Sequence, residues 1–88
     1  MTDPGIYSAD HLRDHWKRQH RLSLNTCRMA RAEPRYYRPG DQAAYLADAG
    51  AFRKAITLLA AYAHPVRGFC GSYLTAPECR ALRQEAGL

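Results

Sequence analysis

The sequence lacks paired cysteines and long apolar runs, and each absence counts against a class of function. Its three cysteines, Cys27, Cys70 and Cys79, are an odd number with no Cys-x-x-Cys pair. That argues against a secreted disulfide framework and leaves reduced, mostly structural thiols as the expectation. The longest apolar stretch, "AITLLAAYA" at 55–63, is too short to span a bilayer, and the opening "MTDPGIYSAD" has neither a basic start nor an apolar run. No membrane association and a cytoplasmic address are expected.

Chemistry-bearing motifs are missing as well. Gly68 and Gly71 lack the lysine and the helix start that a phosphate-cradling loop needs. His11 and His15, at i and i+4 in "HLRDH", have metal-binding spacing but no metalloprotease glutamate between them. His20, Cys27, His64, Cys70 and Cys79 add donors without paired-ligand spacing. A Cys-His nucleophile pair, such as Cys70 with His64 or His20, would have to be assembled by the fold, and nothing local activates a thiol. The expectation is a protein without catalysis, cofactor or metal.

What is present is arginine. Arginine outnumbers lysine eleven to two, and the net charge is +5. Residues 11–38 hold eight cations against Asp14 and Glu33, whereas residues 39–88 are close to neutral. The positive field belongs to the first half, where it can attract phosphates or an acidic protein. Arginine's planar fork suits either. Because the arginine preference continues into the near-neutral half, a general compositional bias accounts for part of it.

Eighty-eight residues, 47% of them hydrophobic, make one domain with a small core, for which dimerisation could supply further burial. Ser8 is placed to cap a first helix, with Asp10 in its first turn and Tyr7 set to staple against Leu12; residues 1–7 precede it as a tail. Leu12, Trp16, His20 and Leu24 then form a narrow stripe at i, i+4, i+8 and i+12, with Arg13, Lys17, Arg18 and Arg21 on other faces. Asn25-Thr26 either interrupts this helix or is run through, and Pro34 ends it near Glu33.

Arg28, Arg31, Arg35 and Arg38 follow at spacings of three, four and three, but the proline divides them. Arg28 and Arg31 share a helical face, while "PRYYRPG" reads as an extended connection up to Gly40. Adjacent residues of an extended chain point to opposite sides, so one of Tyr36 and Tyr37 faces out and the other anchors the segment. Asp41 is the expected cap of the next helix. It carries Tyr45, Leu46 and Ala49 to Gly50, where a helical hairpin turns into a second helix bearing Phe52, Ile56, Leu59 and Ala63 and stopped by Pro65. "VRGFCGSY" is a loop, with "GFCGSYLT" able to add a short extended piece. Thr75-Ala-Pro-Glu78 has capping-box spacing, Gly87 suits the far cap, and Cys79, Leu82 and Ala86 face inward between them. The fold expected is all-α, a compact bundle of four or five short helices including the hairpin near 41–64.

Read as a helix-turn-helix, "AAYLADAGAFRKAITLL" would put Phe52 and Leu58 on the base-reading face, which needs polar groups. Through Gly50, Phe52, Ala55 and Ile56 the stretch resembles the hairpin of tetratricopeptide repeats. Through Gly50, Phe52, Arg53, Lys54 and Ala55 it resembles the PerC-type and ANR-type small bacterial regulators, with Cys79 as their downstream cysteine. Helical packing alone accounts for most of these matches, and no family is assigned on them.

The function expected is that of a small regulator or adaptor, of bacterial, phage or plasmid type. It binds nucleic acid or a nucleoprotein through Arg13, Lys17, Arg18, Arg21, Arg28, Arg31, Arg35 and Arg38, with Tyr36 or Tyr37 stacking on a base. Phosphate contacts of this kind position a protein without specifying sequence. The alternative is an inhibitor or adaptor that holds an acidic protein partner, with the same residues or the hairpin as its surface. The bland reading is a solvated connection pinned by both tyrosines.

Overall fold

The computed structural model describes residues 6–66 and 71–88. Three helices carry most of the chain: α1 (Ala9–Ala32), α2 (Asp41–Tyr62) and α3 (Ala76–Ala86). A short 3-10 turn, Pro34–Tyr36, joins the first two. Strands β1 (Ile6–Ser8), β2 (His64–Pro65) and β3 (Ser72–Thr75) form an antiparallel sheet in the order β1-β3-β2. Ile6 pairs with Thr75 and Ser8 with Tyr73 on one side of β3, and His64 pairs with Tyr73 on the other.

The expected bundle of four or five helices is therefore corrected, among the described residues, to three helices and a small sheet. Two long helices replace the shorter pieces. Asn25 and Thr26 lie inside α1, where Thr26 Oγ1 donates to the Leu22 carbonyl at 2.9 Å and so satisfies its hydroxyl without leaving the helix. Gly50 lies inside α2 on an exposed face. A glycine there costs only about 1 kcal/mol relative to alanine, less than the apolar residues on either side of it gain by packing as one helix. The hairpin expected near 41–64 is thus one continuous helix, and the helical hairpin among the described residues is α1 against α2.

The sheet also takes in residues expected to be tail, since Ile6 and Tyr7 belong to β1. Its strands span two to four residues, too few for an alternation to be read. The expected loop at 66–73 lies partly outside the described residues, and Cys70 with its proposed histidine pairing lies wholly outside them.

The ends of the helices follow local chemistry. Ser8 Oγ accepts from the His11 backbone N–H at 3.3 Å. Thr75 and Glu78 make the reciprocal capping box of α3, and Gly87 closes that helix at φ 88°, a left-handed conformation that suits glycine. At α2 the cap is Gly40, at φ 93°, and Asp41 is the first helical residue.

The core sits at one end. Trp16 from α1, Ala55 and Leu59 from α2, Leu74 from β3, and Leu82 and Ala86 from α3 are buried together, with Ala9 at the start of α1. Leu59, Leu74 and Leu82 are enclosed completely, each worth about 1.5–3 kcal/mol of transfer free energy. Beyond Trp16 the second half of α1 lies along the first half of α2, and the buried side chains described there are small, Ala30 and Ala49. The described chain is correspondingly elongated, 52 × 28 × 22 Å. A two-helix arm projects from a packed base.

Candidate nucleic-acid interface

The arm carries most of the basic residues named from the sequence. By helical geometry Lys17, Arg21 and Arg28, at i, i+4 and i+11, fall within about 40° of one another around the axis. All three are exposed. Arg31 stands beside Arg28 and lines a shallow pocket with it, Cys27, Gln42 and Leu46. Cys27 Sγ donates to the Gln42 carbonyl at 3.5 Å across the two helices, so the arm is tied near the level of its outer arginines. Arg18 is exposed on a neighbouring face.

Arg13 is separate. It belongs to the base, half-buried and bonded to Asp10 through Nη1 at 2.9 Å. A rise of 1.5 Å per residue puts it about 27 Å along α1 from Arg31. The expected basic face is therefore a strip along a projecting arm, with Arg13 at its neutralised end.

At the tip, Pro34 stops α1 and the chain tightens into a turn in place of the extended connection expected. The Glu33 backbone N–H donates to the Met29 carbonyl at 2.8 Å and Tyr36 N–H to the Glu33 carbonyl at 3.1 Å. A second lock precedes α2: the Arg38 backbone N–H donates to Asp41 Oδ2 at 2.8 Å, and Asp41 N–H returns a bond to the Arg38 carbonyl at 3.1 Å. Asp41 thus spends its carboxylate on the backbone of Arg38, and the Arg38 side chain is left to solvent.

The two tyrosines divide. Tyr37 is half-buried and lines a small depression with Ala30, Pro34 and Gln42. Tyr36 is 71% exposed. Arg35 lies over the Tyr36 ring, 5.1 Å from its centroid, and its Nε is 3.9 Å from Glu33 Oε2. Both partners of that ion pair are exposed, so it holds Arg35 only weakly. The arrangement offers a flat aromatic face, a guanidinium stacked on it, and further cations behind it along the arm. Those are the groups that engage a base and its flanking phosphates.

Sequence reasoning missed three features of the base. His64 Nε2 donates to Glu78 Oε2 at 2.5 Å, joining the edge strand β2 to the capping box of α3. The Glu78 carboxyl is held down at about 2, first by the Thr75 backbone and hydroxyl donors and then by His64. The Tyr62 hydroxyl donates to Glu85 Oε2 at 2.7 Å, and that carboxylate raises the phenol's pKa. Burial also raises the Cys79 thiol against the opposing pull of Arg83 and Arg80. The His64–Glu78 and Tyr62–Glu85 partnerships join residues on separate elements, 14 and 23 positions apart, and local spacing gives no sign of them.

Among the described residues no group of three or more His, Cys, Asp or Glu side chains is placed to hold a metal ion. Among the described residues, too, no helix is long and apolar enough to cross a membrane. No family model, curated protein or solved structure matches the chain.

Proposed function

We propose that this protein is a small non-catalytic regulator or adaptor that binds nucleic acid, or a nucleoprotein, along the projecting arm. The observation that carries the reading is the arm itself: Lys17, Arg18, Arg21, Arg28, Arg31 and Arg38 have no carboxylate partner among the described residues, and Tyr36 stands exposed beyond them. Phosphates would neutralise the strip and release counterions, while Tyr36 supplies a stacking surface. Contacts of this type set position on a backbone and read little sequence. Transcriptional control is one setting for such a protein, and a cytoplasmic accessory role in a bacterium, phage or plasmid fits its size and charge.

The test is binding of fluorescein-labelled single-stranded and duplex DNA and RNA to the purified chain, followed by anisotropy from low to high salt. Binding that weakens steeply with salt and varies little with sequence is expected. Absence of binding at low salt would overturn the proposal.

A second reading has its own observation. Leu22 and Met29, seven residues apart on α1, are 57% and 56% exposed. Each follows a basic residue, Arg21 or Arg28, so this apolar stripe runs about 100° round the helix from the basic one. A protein partner with acidic and apolar residues would use both, which suits an inhibitor or adaptor, and a second copy of the chain could cover the apolar stripe alone. A stoichiometric, salt-tolerant complex with one protein is the signature of this alternative.

A further inference from the structure

The base of the molecule has a second feature that the arm does not explain. Helix α3 packs against α2 and the sheet, and a cleft of about 760 Å³ opens between α3 and the flank of α1. Its volume falls in the range of about 300–1,000 Å³ usual for small-molecule sites. Trp16 and Phe52, with Leu12 beside them, are among its apolar lining. Trp16 is buried, and Phe52 is half-buried against the core.

The polar groups of the cleft are unevenly charged. Arg80 and Arg83, one turn apart on α3, both line it. Neither makes an ion pair with a carboxylate of the described residues. His15 and Gln19 add hydrogen-bonding groups from α1, and among the described residues Asp48 is the one carboxylate side chain on the wall. Two guanidiniums against one carboxylate favour an anion. The adjoining aromatic rings favour a flat apolar body on the same molecule.

We infer that the cleft between α1 and α3 binds a small organic anion, its aromatic or apolar ring against Trp16 and Phe52 and its carboxylate or phosphate on Arg80 and Arg83. A planar oxyanion accepts two parallel N–H bonds from a guanidinium, the strong form of this contact. Such a ligand would bridge α1 and α3, which otherwise meet only around the shared core. The inference is independent of what the arm binds.

Trp16 is the only tryptophan in the chain, so its fluorescence reports the cleft directly. The experiment titrates the protein with 2-naphthoate, adenosine monophosphate, uncharged naphthylmethanol and inorganic phosphate, reading Trp16 emission and binding heat. Saturable one-to-one binding of 2-naphthoate or the nucleotide is expected. Losing two charge-assisted contacts should weaken it at least about tenfold in Arg80→Ala/Arg83→Ala. A control of equal charge loss outside the cleft, Arg53→Ala/Lys54→Ala, should stay within about twofold, since distant surface cations are screened. Affinity for the organic anion should also exceed that for naphthylmethanol and for phosphate. The inference is overturned if no organic anion binds, if naphthylmethanol or phosphate binds equally well, or if the two double variants behave alike. Distinguishable affinities for the carboxylate and the phosphate would identify which anion the arginines prefer.

Discussion

The guanidinium of Arg35 lies 5.1 Å from the centre of the Tyr36 ring at the tip of the α1–α2 arm, where the tyrosine is largely exposed and its neighbour Tyr37 is half-buried. The pair places a cation and an aromatic face on the same small surface. Tyr37 shares the wall of a small depression with Ala30, Pro34 and Gln42, so it is held against the arm while Tyr36 faces solvent.

Tyr36 should therefore affect binding without affecting folding. Base stacking on an aromatic side chain is worth about 1–3 kcal/mol by alanine substitution, so Tyr36→Ala should weaken single-stranded binding by a factor of about 5 to 150. Its melting temperature should stay near that of the parent. Tyr37→Ala should do the reverse, lowering stability first. Anisotropy and thermal unfolding of both variants check this, and equal binding losses with equal melting shifts would contradict it.

Gly50 makes a prediction of opposite sign. A Cβ built there meets nothing within 4 Å, and its φ is not positive, so alanine fits the helix without strain. Gly50→Ala should stabilise the protein by about 0.4–1 kcal/mol through the entropy of the unfolded chain and helix propensity. Denaturant titration measures it. Destabilisation would mean that α2 bends at Gly50, as a hairpin would.

This glycine shows where the sequence was legible and where it was not. A glycine between two apolar stretches is compatible with a turn or with a continuous helix, and only the packing of α2 along α1 decides. The caps were readable because they are local: Ser8 and His11, Thr75 and Glu78, and Gly87 lie within a few residues of what they bond. The sheet was not, since β1 and β3 are some sixty-five residues apart in sequence and β2 is two residues long. At the arm, the division of the arginines by Pro34 and the one-out, one-in arrangement of the tyrosines could be read. Which tyrosine faces out could not, because that depends on the 3-10 turn and on Ala30 and Gln42 beneath it. Arg80 and Arg83 joined no predicted site, since the cleft exists only once α3 is docked beside α1.

Glu78 gives the base a defined acid sensitivity. Its carboxylate is ionised in the folded protein down to about 2, against 4.5 for the free group, so the unfolded chain takes up the proton first as pH falls. The stabilisation is fully present above about pH 4.5 and is lost progressively toward about pH 2. Glu78→Gln cannot titrate. The stability gap between parent and variant should shrink across that window, and a gap constant from pH 7 to pH 2 would contradict the assignment. Because the leading cause is the Thr75 backbone N–H, which an alanine at that position keeps, His64→Ala and Thr75→Ala should each narrow the window without closing it.

The core should respond as a single unit. Leu82 is fully enclosed and belongs to the same cluster as Trp16, Leu59 and Leu74. Leu82→Ala should cost about 2–5 kcal/mol, a large share of the stability of a small domain. Denaturant unfolding followed by Trp16 fluorescence and by far-ultraviolet circular dichroism should give coincident, lowered midpoints. A loss below about 1 kcal/mol would show that α3 contributes little to the core.

The most direct test of the account compares two charge-matched variants in the salt-dependent anisotropy assay. Arg35→Ala/Arg38→Ala removes two cations from the tip of the arm, and Arg80→Ala/Arg83→Ala removes two from the cleft at the base. If the arm grips phosphates, the tip variant should flatten the plot of log affinity against log salt by about 1.4 for a single strand or 1.8 for a duplex, roughly 0.7 or 0.9 per lost contact. The cleft variant should keep the parent slope. Equal slopes for the parent and the tip variant, or a loss confined to the cleft variant, would contradict the assignment of the arm as the binding surface.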